Sequence, residues 1–193
     1  MPNDFVFDQS NSSFYGQLTN NYVDPGIMAP ADMDAAVNTR EFITSASNSG
    51  SLGILGGTVN ITLQISNPSG SGRTMYISSI TGGINVSLSL LSSFSGSFTL
   101  YSGGTLTSPT TLTPFSTKFG SGATSGMTAR SSTSAPSGAT AFMSYFLSPG
   151  MFTLPFAGSL ILPPNQTITM NVSASLSVAG VMANTAAVSW WEV

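Results

Sequence analysis

Beyond about Leu52 the chain alternates apolar with polar residues, in short runs broken by turn-forming clusters. Val59, Ile61, Leu63 and Ile65 occupy every second position and stop at Asn67-Pro68-Ser69-Gly70. A period of two puts these side chains on one face of a strand and leaves the other face to Asn, Thr and Gln. Met75 and Ile77 begin a second run that pauses at Gly82-Gly83. Ile84, Val86, Leu88 and Leu90 follow, then Phe94, Phe98 and Leu100 as far as Gly103-Gly104. Residues 127–133, 139–147, 159–162, 168–174 and 186–190 supply the later strands. Many short strands punctuated by Gly, Pro, Asn and Ser predict a sandwich or a barrel. Only residues 32–37 (Asp-Met-Asp-Ala-Ala-Val) offer a turn or two of helix, which excludes a doubly wound α/β fold. Residues 105–125 read as loops, with Phe115 and Phe119 expected to pack against the body. The expected fold is all-β: a jelly-roll-like antiparallel β-sandwich over residues 51–193, preceded by an extended N-terminal arm over residues 1–50.

The arm differs in kind from the body. Residues 1–41 hold six of the seven acids (Asp4, Asp8, Asp24, Asp32, Asp34, Glu41) and one base, Arg40, for a net −5. The remainder has Arg73, Lys118 and Arg130 against Glu192, a net +2, which brings the chain to −3. Such asymmetry points to an arm that meets a complementary surface. Docking is therefore expected to pair Asp4, Asp8 and Asp24 with Arg73, Lys118 and Arg130. The arm also carries Phe5, Val6, Phe7, Phe14, Tyr15, Leu18, Tyr22 and Val23, too many anchors for a passive tail. Only 6% of all residues are charged, against roughly 25% in ordinary soluble proteins. With 41% hydrophobic residues and a mean hydropathy of +0.25, this is not the composition of a disordered chain. A neutral polar surface suits a protein packed against copies of itself, because net charge opposes association.

Catalytic chemistry lacks its parts. There is no histidine and no cysteine, and no Asp or Glu occurs between Phe42 and Trp191. A carboxylate pair for glycoside hydrolysis and an imidazole for a serine triad are both missing from the body. Lys118 beside Thr117 reads as solvated. Asp32 and Asp34 read as a helix N-terminal cap rather than a Ca²⁺ site, since few further oxygens flank them. Gly53-Ile54-Leu55-Gly56-Gly57 lacks the lysine of a phosphate loop and reads as a turn. Four basic residues exclude nucleic acid as a partner. No run approaches about 18 apolar residues, so no membrane insertion is expected. Met1-Pro2-Asn3-Asp4 opens no recognisable signal peptide. No cofactor and no metal is expected.

Trp190 and Trp191 must face opposite sides of their strand. One fills the core. The other is either an exposed patch or an interface anchor, and Trp191 is assigned to the subunit interface.

The stretch from Ser159 through Leu160-Ile161-Leu162-Pro163-Pro164-Asn165-Gln166 to Val172, with Ala186-Ala187-Val188-Ser189-Trp190-Trp191-Glu192, resembles the C-terminal half of small jelly-roll proteins of spore-forming Firmicutes. The whole layout is similar to bacterial endospore appendage subunits, in which a connector precedes a jelly-roll body. The resemblance implies that the connector inserts into the preceding subunit and completes its sheet, a role that falls on Phe5, Val6 and Phe7. Some appendage types lock subunits with disulfides; without cysteine, a non-covalent fibre is implied. The expected function is thus a non-enzymatic structural subunit of an extracellular or spore-surface fibre, self-assembling head to tail by N-terminal strand insertion. Its partners are copies of itself, with an anchor or tip protein as an optional addition. The alternatives are a phage or virus-like capsid or tail component, and a carbohydrate-binding adhesion module using Tyr76, Tyr101, Tyr145 or Trp191.

Overall fold

The structure, a computed structural model, describes residues 31–88 and 92–193. A helix α1 (Ala31–Val37) precedes eleven strands: β1 (Glu41–Leu52), β2 (Gly57–Asn67), β3 (Met75–Leu88), β4 (Phe94–Ser102), β5 (Thr110–Leu112), β6 (Phe115–Ser116), β7 (Thr128–Ser132), β8 (Thr140–Leu147), β9 (Gly150–Leu162), β10 (Gln166–Leu176) and β11 (Gly180–Glu192). They form two antiparallel sheets, ordered β6-β1-β11-β3-β9 and β5-β7-β2-β10-β4-β8. The long strands pair as β1 with β11, β2 with β10, β3 with β9 and β4 with β8. This is a two-stranded ribbon, folded back between β4 and β8 and wrapped so that successive pairs fall in alternate sheets. Such a wrapping is the jelly roll. β5, β6 and β7 belong to the insertion at the fold-back.

The inward faces follow the alternation. Ile61, Leu63, Ile65, Met170 and Val172 from one sheet meet Ile77, Ile80, Met182, Val188 and Trp190 from the other, all nearly inaccessible to solvent. Towards the β1–β2 end the core thins, and asparagines replace hydrophobes. Asn184 Nδ2 donates to Val59 O at 2.8 Å and Asn48 Nδ2 to Asn60 O at 2.7 Å, tying the first sheet to β2.

Several expectations are corrected. The body begins at Glu41, so the boundary at residue 50 cuts through β1. That strand lines the interior with Phe42, Thr44 and Ala46, too small and polar a set to stand out as a hydrophobic run. Gly82-Gly83 is no turn but the middle of β3. A Cβ on Gly82 would lie 2.6 Å from the ring of Phe152, which covers the strand there and packs on Phe98 at 5.1 Å between centroids. Asp32 lies inside the first turn of α1 instead of capping it, and Asp34 pairs on the surface with Arg40 at 3.4 Å. Phe115 and Phe119 touch each other, 6.0 Å apart, and stay largely exposed. The outer face of the second sheet is not simply solvated. The β4–β8 insertion lies over it, and Gln64 Nε2 and Thr169 Oγ1 donate to Gly104 O and Gly103 O. Thr62 Oγ1 likewise donates to Ser134 O.

Candidate assembly interface

The arm residues expected to mediate assembly (Phe5, Val6, Phe7, Phe14, Tyr15, Leu18, Tyr22, Asp4, Asp8 and Asp24) lie outside the described residues. What can be built from the sequence upward is the surface such an arm would meet.

Each sheet ends on a strand with one neighbour. β8 closes the second sheet beside β4, and β9 closes the first beside β3. Since β8 runs into β9 through Ser148-Pro149, these two edges lie on one side of the sandwich; on the other side β6 covers β1 only at Phe42 and Ile43. An open edge presents unpaired N–H and C=O groups to another chain. The two edges are guarded differently. β9 carries Pro155, and its ladder with β3 is interrupted between Ile77 and Ser79, where residues 156–159 bulge outward. Ala157 (φ 47°) and Gly158 (φ 83°) turn the chain there. Both devices oppose the addition of a further strand. β8 has no proline, and its own bulge is the single residue Phe142. Thr-Ala-Phe-Met-Ser-Tyr-Phe-Leu holds no charge, no proline and no glycine, and Phe142, Tyr145 and Phe146 are 49%, 46% and 95% exposed. Between the two edge strands, towards the β9–β10 turn, lies an apolar groove of about 280 Å³ lined by Ile77, Tyr101, Phe142, Leu160, Ile161 and Gln166, among others.

The three bases expected to receive the arm are not brought together. Arg73, before β3, gives its guanidinium to Glu192 at 2.8 Å. Lys118 Nζ donates to the last helical carbonyl, Val37 O, at 2.9 Å, where a helix C-terminus favours a cation. Lys118 is exposed, as expected, and its surface contact ties it to α1. Arg130 projects from β7, at the register of Gln64. No single basic patch results.

Trp191 is the second correction at the interface. It faces outward while Trp190 is fully buried, as alternation requires. However, its ring stacks on Tyr76 at 5.7 Å and 7°, lies under Gly158 of the β9 bulge, and is only 9% exposed. It is a second, external packing centre of the subunit and offers little surface to a partner. Tyr76 is committed to the same stack, which leaves Tyr101 and Tyr145 of the tyrosines considered for sugar stacking. Among the described residues no cluster of three or more acidic or other metal-ligating side chains occurs, and no helix is long and apolar enough to cross a membrane.

Sequence reasoning missed the β8 edge. Its signal is the loss of alternation in Ala141-Phe142-Met143 and Tyr145-Phe146-Leu147, apolar on both faces of a strand that has only one covered side. Comparison with known proteins adds nothing to this geometry: no family model, no curated protein and no solved structure matches the chain.

Proposed function

We propose that the chain is a structural subunit that polymerises head to tail into a non-covalent fibre, extracellular or on a spore surface. Its N-terminal arm adds as a strand to the edge of a neighbouring copy. The observation that carries this reading is β8, an uncharged, apolar edge strand without the proline and the four-residue bulge that blunt β9; its own bulge is the single residue Phe142. Strand addition would saturate its free backbone groups while alternate side chains enter flanking pockets. An extended segment of about 20 residues at ~3.3 Å each spans roughly 65 Å, enough to reach a second subunit. Phe5-Val6-Phe7 is apolar on both faces, as an inserted strand requires. No catalytic role is proposed, because the chain has neither histidine nor cysteine, and the Glu192 carboxylate is taken up by Arg73, Ser125, Gly126 and Trp190.

The test is negative-stain electron microscopy of the full chain beside a variant lacking residues 1–23. Long fibres from the full chain and a folded, dispersed variant are expected. Fibres that persist after the deletion would sink the arm's role. Closed shells or rings would point to a capsid component, and glycan binding without polymer to an adhesion module.

A further inference from the structure

The β1–β2 connection carries a feature that folding does not require. Gly56 N donates to Gly53 O at 2.8 Å, closing a tight turn whose two central residues are Ile54 and Leu55. Gly56 holds φ 68°, and a Cβ there would run into the Leu176 and Ser177 backbone, so this position requires glycine whatever the central pair. Ile54 and Leu55 are left 86% and 94% exposed. Turn positions of this kind ordinarily go to Asn, Asp, Ser or Gly. Two large aliphatic side chains at the apex gain nothing within the subunit.

The apex also sits at an uncharged pole. Leu52 is level with Gly180, and Gly57 with Leu176. Glu41, Arg73 and Glu192 lie at the opposite end, Lys118 reaches the α1 terminus there, and Arg130 pairs beyond the middle of β2. The groove between β8 and β9 opens beside the start of β10, at Gln166, Thr167 and Ile168, whereas the turn stands at that strand's far end. Eight to ten strand residues separate them, about 30 Å. A turn therefore cannot reach the groove of its own subunit.

We infer that the Ile54-Leu55 turn is a knob that docks into the β8/β9 groove of a second copy. This inference rests on the polymer reading and gives it a second contact, independent of the arm. Knob and groove are both apolar, and no charged side chain lines either. The groove, about 280 Å³, has room for aliphatic side chains. A protruding apolar residue matched to a pocket elsewhere on the same surface makes a heterologous contact. Repeated without closure, such a contact yields a filament. The arm supplies backbone pairing along β8, and the knob supplies side-chain packing next to it.

The test places a benzophenone amino acid at position 55 of the full chain and maps intermolecular photo-adducts by mass spectrometry. Adducts are expected on residues 140–147 or 160–168 of the second copy. Ile54→Ser/Leu55→Ser should weaken self-association at least about tenfold while the fold is kept, as is Ile161→Glu at the groove. Adducts joining turn to turn overturn the inference. So does the absence of intermolecular adducts at every concentration, or flotation with phosphatidylcholine vesicles that the double-serine variant loses, which would make the apex a lipid anchor. The arm is separable. Fibres without these adducts leave the arm standing and remove the knob; adducts that survive deletion of residues 1–23 leave the knob standing whatever the arm does.

Discussion

Arg73 and Glu192, 119 positions apart, meet at 2.8 Å around a carboxylate that is almost wholly buried. Glu192 also accepts from Trp190 Nε1 at 3.0 Å, Gly126 N at 2.9 Å and Ser125 Oγ. One side chain thereby ties the end of β11, the β2–β3 loop, the insertion and the core tryptophan together. A buried carboxylate is tolerated only when so fully bonded.

Replacing Glu192 with Ala strands the buried Trp190 N–H and Gly126 N–H and should cost about 3–4 kcal/mol. Arg73→Ala should cost less, about 1–2 kcal/mol, because its guanidinium is half exposed and three other donors remain on the carboxylate. Urea denaturation followed by tryptophan fluorescence measures both. A larger loss for Arg73→Ala would contradict a site organised around the carboxylate.

Gly158 holds φ 83° where the β9 bulge crosses the face of Trp191. Gly158→Ala adds a Cβ that runs into the indole and a residue that dislikes this backbone region. A destabilisation of about 2 kcal/mol is expected, with a red shift in tryptophan emission as the ring is uncovered. Unchanged emission and stability would mean that the bulge does not seal Trp191.

Which parts of this architecture the residues announced follows from how each is held. β2 and β10 carry Ile, Leu, Met and Val at every second position, and a buried face of that kind is visible without any partner. β1 is held by pairing along its length, from Glu41 against Trp191 to Leu52 against Gly180. Its own inward residues, Thr44, Ala46 and Asn48, carry little signal. Gly82 became legible only with Phe152, which arrives from a strand seventy positions on. The arm stood out through its acids and aromatics. The β8 edge did not, because being an edge is a property of strand order, and strand order is fixed by contacts distant in sequence. Trp191 illustrates the same limit: alternation placed it outward, but the bulge that covers it is set by Ala157 and Gly158.

Glu41, at the start of β1, has its carboxyl pushed above the ordinary value of 4.5, chiefly by burial and further by the charge of Asp32, while the Thr117 hydroxyl, donating at 2.8 Å, works against the shift. In the folded state this group holds its proton to higher pH than in the unfolded chain. Between the two values the native state binds more protons, so this group's contribution to stability falls as pH rises from about 4.5 through the folded-state value. Glu41→Gln should remove that decline and leave the neutral-pH protein no less stable. Urea midpoints from pH 4 to 7 for both proteins give the comparison, and a profile equally steep in the variant would assign the dependence elsewhere.

Phe146 points outward from β8 at the register of Ser97 and is 95% exposed, so its ring contributes almost nothing to the subunit's own packing. A lysine there is the device by which edge strands resist further pairing. Phe146→Lys should alter unfolding free energy by no more than about 0.5 kcal/mol and abolish fibre growth, because the incoming strand would have to desolvate the new charge. The same substitution on the guarded edge, Thr153→Lys in β9, should leave growth intact. Light scattering and electron microscopy, with far-UV circular dichroism as the control for folding, report on both. Growth blocked by Thr153→Lys but not by Phe146→Lys would move the acceptor edge from β8 to β9, and growth unaffected by either would remove strand addition at this side of the sandwich altogether.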